Sequence, residues 1–432
     1  MMKRISAFRG EYRDKGTVYQ GVYKELSMSE HTIADLYQMQ SLPLSAKISM
    51  TLNRIRAWYN YFDGQVYVSF SGGKDSTVLV DIMSKHGYND VPLVFVDTGL
   101  EYPEIREFVK GYGDRVTWLK PKMNFKQVIE RYGYPFISKE VSESVYAAKK
   151  YLRDLLENKE GSKWGKDRVE RLCAIGKYSK LKESQELADI LNDKMKNKKV
   201  GSNVRLAKVL GMLTKENSVK PNPGSDRSMY SMEKYQFFLD ADFDISSECC
   251  RIMKKAPAHT YSKQTGRKPI TAQMASESRL RTQQWIRNGC NGFDMKSPIS
   301  NPMSFWTEQD VLLYIKENKL PICSVYGEVV EDLEGIDSVE GQMTMSDIPG
   351  WEDQGIFDAE RPPLKTTGCK RTGCMFCGYG CHMEKGEGRF ERMKKTHPKQ
   401  YDYIMRPWEE GGLNYKEVID WINEHGDLNI RY

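Results

Sequence analysis

The stretch Gln65–Val80, QVYVSFSGGKDSTVLV, consists of three pieces in a row. Gln65 to Phe70 is rich in β-branched and aromatic residues, which suit a pleated, buried surface, so a strand is expected there. Ser71-Gly72-Gly73-Lys74-Asp75-Ser76 is a glycine turn flanked by hydroxyls. Thr77-Val78-Leu79-Val80-Asp81-Ile82-Met83 then opens an apolar helical run. A strand that feeds a helix through such a turn can hold phosphate. The two glycines carry no Cβ, so the backbone can curl close to an anion. The helix start presents free N–H groups and the positive end of its dipole. Ser69, Ser71 and Ser76 offer hydroxyls, and Lys74 offers a mobile positive charge. The loop is not G-x-x-x-x-G-K-[ST], because its lysine follows a Gly-Gly pair and Asp75 stands behind it. The plain alternative is an ordinary Gly-Gly turn.

Working outward, Ser45–Tyr61 places Ile48, Leu52, Ile55 and Trp58 at helical spacing, which predicts an amphipathic helix leading into the strand. Val91–Val96 (VPLVFV) is a continuous apolar run and reads as a strand buried on both faces. It ends in Asp97-Thr98-Gly99. A helix over Pro103–Tyr112 and a strand over Arg115–Leu119 follow. Strand, helix, strand, helix, strand in so short a span argues for a doubly wound parallel sheet. Such sheets bind ligands beyond the carboxyl ends of their strands. Both Ser71–Ser76 and Asp97–Gly99 fall there. Asp97 is thus a candidate ribose or magnesium contact, with a helix cap or turn residue as the equal alternative.

The chain has 432 residues, enough for two or three domains or one core with large insertions. Its start, MMKRISAFRGEYRDKG, holds no apolar run of signal-peptide length, and no run approaches transmembrane length. A cytoplasmic protein without a membrane partner is expected. Its nine cysteines are then expected to be thiols or metal ligands rather than disulfides. The net charge of +6 is mild and does not itself indicate nucleic acid.

The composition divides the chain. Residues 1–42 read as an N-terminal extension and 43–137 as the first half of the core. Residues 138–234 are rich in Lys and Arg with Leu, Ala and Met at helical intervals, a basic helical insertion that either binds a polyanion or is a solvated surface. Asn197–Ser202 reads as a break within it. Residues 235–321 resume the core, with a strand over Pro269–Met274 that leads to Arg279 and Arg281. Thr307 is the expected cap of a helix ending at Asn318, with Asp310 three residues on. Residues 322–432 hold an acidic stretch without Lys or Arg between Ile322 and Arg361, read as a surface excursion, then a cysteine-rich segment and C-terminal helices.

Cys249-Cys250 are adjacent, and Cys369, Cys374, Cys377 and Cys381 follow over a hundred residues later. Three readings compete. Cys249, Cys250, Cys374 and Cys377 could hold a [4Fe–4S] cluster. Cys369, Cys374, Cys377 and Cys381 could hold zinc, with the adjacent pair free. Or the thiols hold no metal and are redox-active. Cys173, Cys290 and Cys323 are isolated and read as buried small hydrophobes.

SGGKDS resembles the pyrophosphate-binding loop of the adenine nucleotide alpha hydrolase superfamily, the PP-loop ATP pyrophosphatases. Its lysine variant resembles that of the phosphoadenylyl-sulfate (PAPS) reductase family. The resemblance runs in order through Asp97-Thr98-Gly99, Cys249-Cys250 with Lys254 and Pro257, Glu277-Ser278 with Arg281, Pro302 with Trp306 and Asp310, and Arg371-Thr372-Gly373-Cys374-Met375-Phe376-Cys377. It implies an α/β fold, a doubly wound parallel sheet with the helical insertion and a Cys-rich C-terminal region. It implies that Ser69, Ser71, Gly72, Gly73, Lys74, Asp75, Ser76, Asp97, Thr98, Gly99, Arg279 and Arg281 bind an adenine nucleotide, either ATP or a sulfonucleotide (PAPS or APS), with Mg²⁺. Lys74, Asp75 and Arg281 would be catalytic. The cysteine pairs resemble the ligands of the iron–sulfur branch, which favours the first metal reading over zinc.

Two departures stand out. The family's reductases end in Glu-Cys-Gly-Leu-His, whereas this chain ends GDLNIRY, and Cys381-His382 does not match. A usual glycine is also replaced around Ala272–Met274. The expectation is therefore an enzyme of adenylyl or sulfur transfer rather than sulfate reduction, with nucleic acid as one acceptor. The alternative is a zinc-stabilised, nucleic-acid-associated or regulatory protein that uses the nucleotide only as a ligand.

Overall fold

A computed structural model describes residues 31–157, 166–196, 201–332 and 362–432. They divide into two compact units, one of residues 31–97, 101–120, 257–332 and 362–372, the other of residues 98–100, 121–157, 166–196, 201–256 and 373–432. The strands in chain order are β1 (Val66–Ser69), β2 (Leu93–Val96), β3 (Val116–Leu119), β4 (Phe136–Ile137), β5 (Lys268–Ile270), β6 (Asn291–Gly292), β7 (Ile299–Ser300), β8 (Val329–Glu331), β9 (Leu364–Thr366) and β10 (Gly378–Tyr379).

The first unit is built on a sheet of order β3-β2-β1-β5-β7-β6. Five of its strands run parallel, and β6 pairs antiparallel with β7 at one edge. The order reverses between β1 and β5, so the doubly wound sheet read from the sequence is present, with its switch point at β1. Val66, Val68, Leu93 and Phe95 are fully or almost fully buried, as both-face burial of parallel strands requires. The helix Leu44–Tyr61 packs Ile55 and Trp58 into the same core. Each such burial contributes roughly 1.5–3 kcal/mol against exposure. Helix Glu308–Asn318 starts at Thr307, whose side chain and that of Asp310 cap each other's backbone in a capping box. Asp310 also accepts from the buried Lys47 ammonium at 2.7 Å, which ties this helix start to helix Leu44–Tyr61.

Two sequence expectations need correction here. The strand expected over Pro269–Met274 is shorter and lies at Lys268–Ile270. Beyond it, the amides of Thr271 and Ala275 donate to the Ser300 and Ser304 carbonyls. The acidic stretch is not a surface excursion at its beginning. Cys323 and Tyr326 are buried in the first unit's core, and β8 pairs with β9. An apolar run, Ile322-Cys323-Ser324-Val325-Tyr326, outweighs the acidic composition that follows it. The rest of the stretch lies outside the described residues, as does most of the expected break at Asn197–Ser202.

The second unit is mostly helical. Helix Lys139–Glu157 buries Val141, Val145, Ala148, Leu152, Leu155 and Leu156. Helix Phe125–Tyr132 is capped by Asn124 and Gln127 in a capping box. Two short parallel strands, β4 and β10, join the start of this unit to its cysteine-rich segment. Tyr134 and Tyr415 pack edge to face, and the Tyr134 hydroxyl donates to Leu413 O. Many basic residues of the insertion are already paired within the unit. Arg153 meets Asp244, Arg171 meets Glu186, Arg205 meets Glu143, and Lys182 and Arg227 share Glu233. No helix among the described residues is long and apolar enough to cross a membrane.

Gly133 ends helix Phe125–Tyr132 at φ 90°, ψ 179°, a region only glycine occupies readily. A Cβ there would overlap the Asp244 carbonyl, which accepts from Tyr134 N. Gly133→Ala should therefore lose at least about 2 kcal/mol in urea unfolding. Gly113, also at positive φ, has open space around it. Gly113→Ala should lose about 1 kcal/mol, the strain of the left-handed backbone alone.

Candidate nucleotide site and cysteine cavity

The loop after β1 is closed by its own polar groups. Gly72 has φ 68°, and a Cβ there would stand 2.7 Å from Val109 and 3.0 Å from Ile105 on helix Pro103–Lys110. Gly73 caps helix Lys74–Lys85 with extended backbone. Ser71 and Ser76 hydroxyls pair at 3.0 Å, Ser71 Oγ accepts from Gly73 N, and Ser76 donates to Gly73 O. These two hydroxyls thus hold the loop's shape. Ser69 ends β1, half-buried. The first three helix amides, of Lys74, Asp75 and Ser76, have no intrahelical acceptor. Lys74 N donates to the Tyr326 hydroxyl at 3.2 Å, which in turn lies 2.5 Å from Thr372 Oγ1.

Charge gathers at this helix start. Lys74 is only 2% exposed, so it is fixed rather than mobile. Its ammonium meets Glu308 at 3.2 Å, Lys370 O at 3.0 Å and Asp75 at 3.7 Å. Glu308 also faces Arg371 at 4.0 Å. Burial raises the Asp75 carboxyl above its usual range, Lys74 opposes the rise, Glu308 adds to it, and Arg371 and Arg281 oppose it. Asp75 Oδ1 is buried without a hydrogen-bond partner. Arg281 pairs with Glu277 and is half-buried, and burial together with Arg371 works against its charge. Arg279 is exposed. Asp75 follows β1, Arg281 follows β5 and Glu308 follows β7, so adjacent strands of the sheet deliver them.

Asp97, at the end of β2, is buried and accepts from Arg106 at 2.8 Å. Thr98 accepts from Leu100 N, and Gly99 has φ 75° with open space around it. Sequence reasoning passed over Glu308, Tyr326 and Arg106. Glu308 stands at the first position of a helix, where an acidic residue is ordinary. Tyr326 lies in the stretch read as surface. The apolar run before it was the available signal.

Cys249, Cys250, Cys374 and Cys377 line one cavity of the second unit. Leu100, Phe125, Pro135, Met253 and Phe376 make the rest apolar, apart from Lys254. Cys250 opens a π-helical turn, Cys250–Lys255. Such a turn is wider and rotates less per residue than an α-helix, which lets adjacent side chains share a face. The hydrogen bond between them keeps the proton on Cys249 and favours the thiolate at Cys250, helped by Lys139, Lys254 and Lys255. Among the described residues no three His, Cys, Asp or Glu side chains are set to hold a metal ion. A single ion needs its ligands drawn to one point at bonds of about 2.3 Å, whereas a four-iron cluster meets each thiolate at a different corner. The donor set, four thiols around one apolar cavity, therefore fits a cluster in kind better than a lone ion. Cys369 belongs to the first unit, and neither it nor Cys381 lines this cavity. The Cys381 thiol donates to Gly378 O at 2.8 Å, and burial pushes its pKa up to about 12. It is a structural thiol rather than a nucleophile.

The raised Asp75 carboxyl gives a pH test. Its folded pKa lies above its unfolded one, so its contribution to stability is complete below the ordinary carboxylate pKa and is lost as pH rises through the folded value. Asp75→Asn removes that loss. The melting temperature of the variant should match wild type near pH 4 and exceed it increasingly toward about pH 8. A gap that does not change with pH would show that Asp75 is not held as described.

The family model for the phosphoadenosine phosphosulfate reductase domain matches residues 65–189 and 209–379. Two uncharacterized proteins of Methanocaldococcus jannaschii are similar over shorter stretches. One is 35% identical over 85 residues, 19% of this chain and 18% of the relative. The other is 34% identical over 92 residues, 20% of this chain and 22% of the relative. The chain thus spans about a fifth of the length of the curated relatives it matches. A crystal structure of phosphoadenylyl-sulfate (PAPS) reductase from Candida auris, in a phosphate complex, aligns with 73% of this chain and 92% of its own at 13% identity and a TM-score of 0.30. With the family model covering most of the chain, including the Gly72-Gly73 loop and both cysteine pairs, the chain belongs to the phosphoadenosine phosphosulfate reductase domain family and to its PP-loop superfamily.

Proposed function

We propose that this protein is an enzyme that binds an adenine nucleotide, ATP or a sulfonucleotide, with its phosphates at the Gly72–Ser76 loop, and performs adenylyl or sulfur transfer. One observation carries the reading. Lys74, Arg281 and Arg371 gather with the half-buried Asp75 at a helix start, at the switch point of a parallel sheet. Helix amides and guanidinium forks suit phosphate or sulfate. With ATP, an acceptor oxygen would attack the α-phosphorus, and the bond to the bridging oxygen would break with its electron pair leaving on pyrophosphate. Lys74, Arg281 and Arg371 would stabilise that charge, which grows most in the transition state. Asp75, whose Oδ1 is buried without a hydrogen-bond partner, and Glu308 would hold Mg²⁺ with the phosphates. Mg²⁺ commonly takes one or two carboxylates besides phosphates, so a cluster of three protein ligands is not required. Bound there, it would neutralise phosphate charge.

Cys249, Cys250, Cys374 and Cys377 would hold a [4Fe–4S] cluster, which could supply electrons or handle sulfur. The acidic side chains that pair with the insertion's Arg and Lys leave fewer cations for a polyanion, so nucleic acid enters only as one candidate acceptor.

The deciding experiment uses protein purified without oxygen. It should convert ATP to AMP and pyrophosphate, and Gly73→Val should abolish the reaction. Binding of no adenine nucleotide would refute the reading. The same preparation should be brown with about four irons per chain. Cys249→Ser, Cys250→Ser, Cys374→Ser and Cys377→Ser should each lose the colour, while Cys369→Ser and Cys381→Ser keep it. A colourless protein with one zinc would replace the cluster. If nucleic acid is the acceptor, its binding should weaken steeply with salt as counterions are released, and binding that ignores salt removes it.

A further inference from the structure

The Lys74 amide is the first donor of the helix start, yet a phosphate has no direct path to it. It is buried and donates to the Tyr326 hydroxyl at 3.2 Å. A Cβ on Gly73 would stand 3.2 Å from the same hydroxyl, so Tyr326 covers the loop from this side. The tyrosine ring is itself fixed, 2% exposed and part of the first unit's core.

The direction of these hydrogen bonds follows from counting protons. Tyr326 Oη accepts from Lys74 N, and its own proton needs an acceptor because the group is buried. The neighbour within reach is Thr372 Oγ1 at 2.5 Å. With Tyr326 donating to Thr372, no buried donor is left over. The reverse direction would leave the tyrosine proton unpaired, which is costly in a buried site. Thr372 Oγ1 is then an acceptor on one side, and its own proton points elsewhere. Thr372 is half-buried, and among the described residues no acceptor is assigned to that proton. Its chain neighbour Arg371 is exposed and lies 4.0 Å from Glu308, which also pairs with Lys74.

We propose that Thr372 donates its hydroxyl to a phosphate oxygen of the bound nucleotide, and that Tyr326 is the positioning residue that aims it. The chain Lys74 N–H, Tyr326 O–H, Thr372 O–H carries the donor capacity of the helix start outward by two hydroxyls. Arg371 supplies charge beside it. This rests on the nucleotide reading of the loop and adds to it a phosphate contact from the segment that precedes Cys374.

Calorimetry on the full chain tests the assignment, with pyrophosphate as the probe. Wild type should bind it. Thr372→Val should weaken binding about 10-fold or more, as loss of a hydrogen bond to a charged group does. Thr372→Ser should stay within about 3-fold of wild type, because it keeps the hydroxyl. Tyr326→Phe should weaken binding several-fold although Thr372 is intact, because the threonine proton is no longer directed. Thr372→Ser should keep the wild-type urea midpoint, whereas Thr372→Val, which strips the acceptor from the buried Tyr326 proton, should unfold at a lower midpoint but still in one cooperative transition, which separates the affinity effect from loss of fold. Unchanged affinity in Thr372→Val, loss in Thr372→Ser equal to that in Thr372→Val, or tighter binding in Tyr326→Phe would each overturn the proposal. Tighter binding would mean that the tyrosine hydroxyl blocks the loop. No pyrophosphate binding by wild type overturns it as well. If pyrophosphate binds with this Thr372 dependence but ATP, PAPS and APS bind no more tightly, the nucleotide reading fails and the phosphate contact stands.

Discussion

The contact of Gly72 with Val109 and Ile105 constrains everything around the loop. At φ 68° and within 3.0 Å of both side chains at the Cβ position, no other residue fits without strain. The turn is therefore held tightly between β1 and helix Pro103–Lys110. Helix Lys74–Lys85 then starts close to the carboxyl end of β1, where the strand order reverses. Because β5 and β7 lie on one side of β1, Arg281 and Glu308 are brought toward that start by the sheet itself. The chemistry of the site thus follows from a packing contact one residue before it.

The second constraint is electrostatic. An ammonium as buried as that of Lys74 must be paired. Glu308 and Lys370 O do this in the free protein. An incoming phosphate would compete with Glu308 for the lysine, which would release the carboxylate for another partner. Asp75 is in the opposite state, a carboxylate whose burial raises its pKa and whose Oδ1 lacks a donor. A cation arriving with the phosphates would relieve both. The second unit keeps a separate chemistry. Its four cysteines share an apolar cavity, and a π-helical turn opens at Cys250.

Much of this was legible in the sequence because it is local. The β1 strand, the glycine turn and the helix after it are written in consecutive residues, and the capping box at Thr307 and Asp310 is a three-residue signal. The parallel sheet followed from apolar runs ending in polar turns. The roles inside the loop were less legible. Ser71 and Ser76 are hydroxyls in a phosphate-loop pattern, but their hydrogen bonds close the loop. Lys74 carries a charge, but its burial depends on Glu308 and Lys370, which lie far along the chain. Tyr326 was hidden by composition, since an acidic stretch masked the apolar run that buries it. Spacing alone left the four cysteines as one of two ligand sets beside a reading without metal, because a shared cavity is a property of packing.

The central claim is that nucleotide phosphates sit at the Gly72–Ser76 loop. A crystal structure of the protein with ATP and Mg²⁺ tests it most directly. The account predicts phosphate oxygens about 3 Å from the amides of Asp75 or Ser76, with Arg281 or Arg371 also in contact. A nucleotide bound elsewhere, with the Lys74–Glu308 pair intact and no phosphate at the loop, would contradict it.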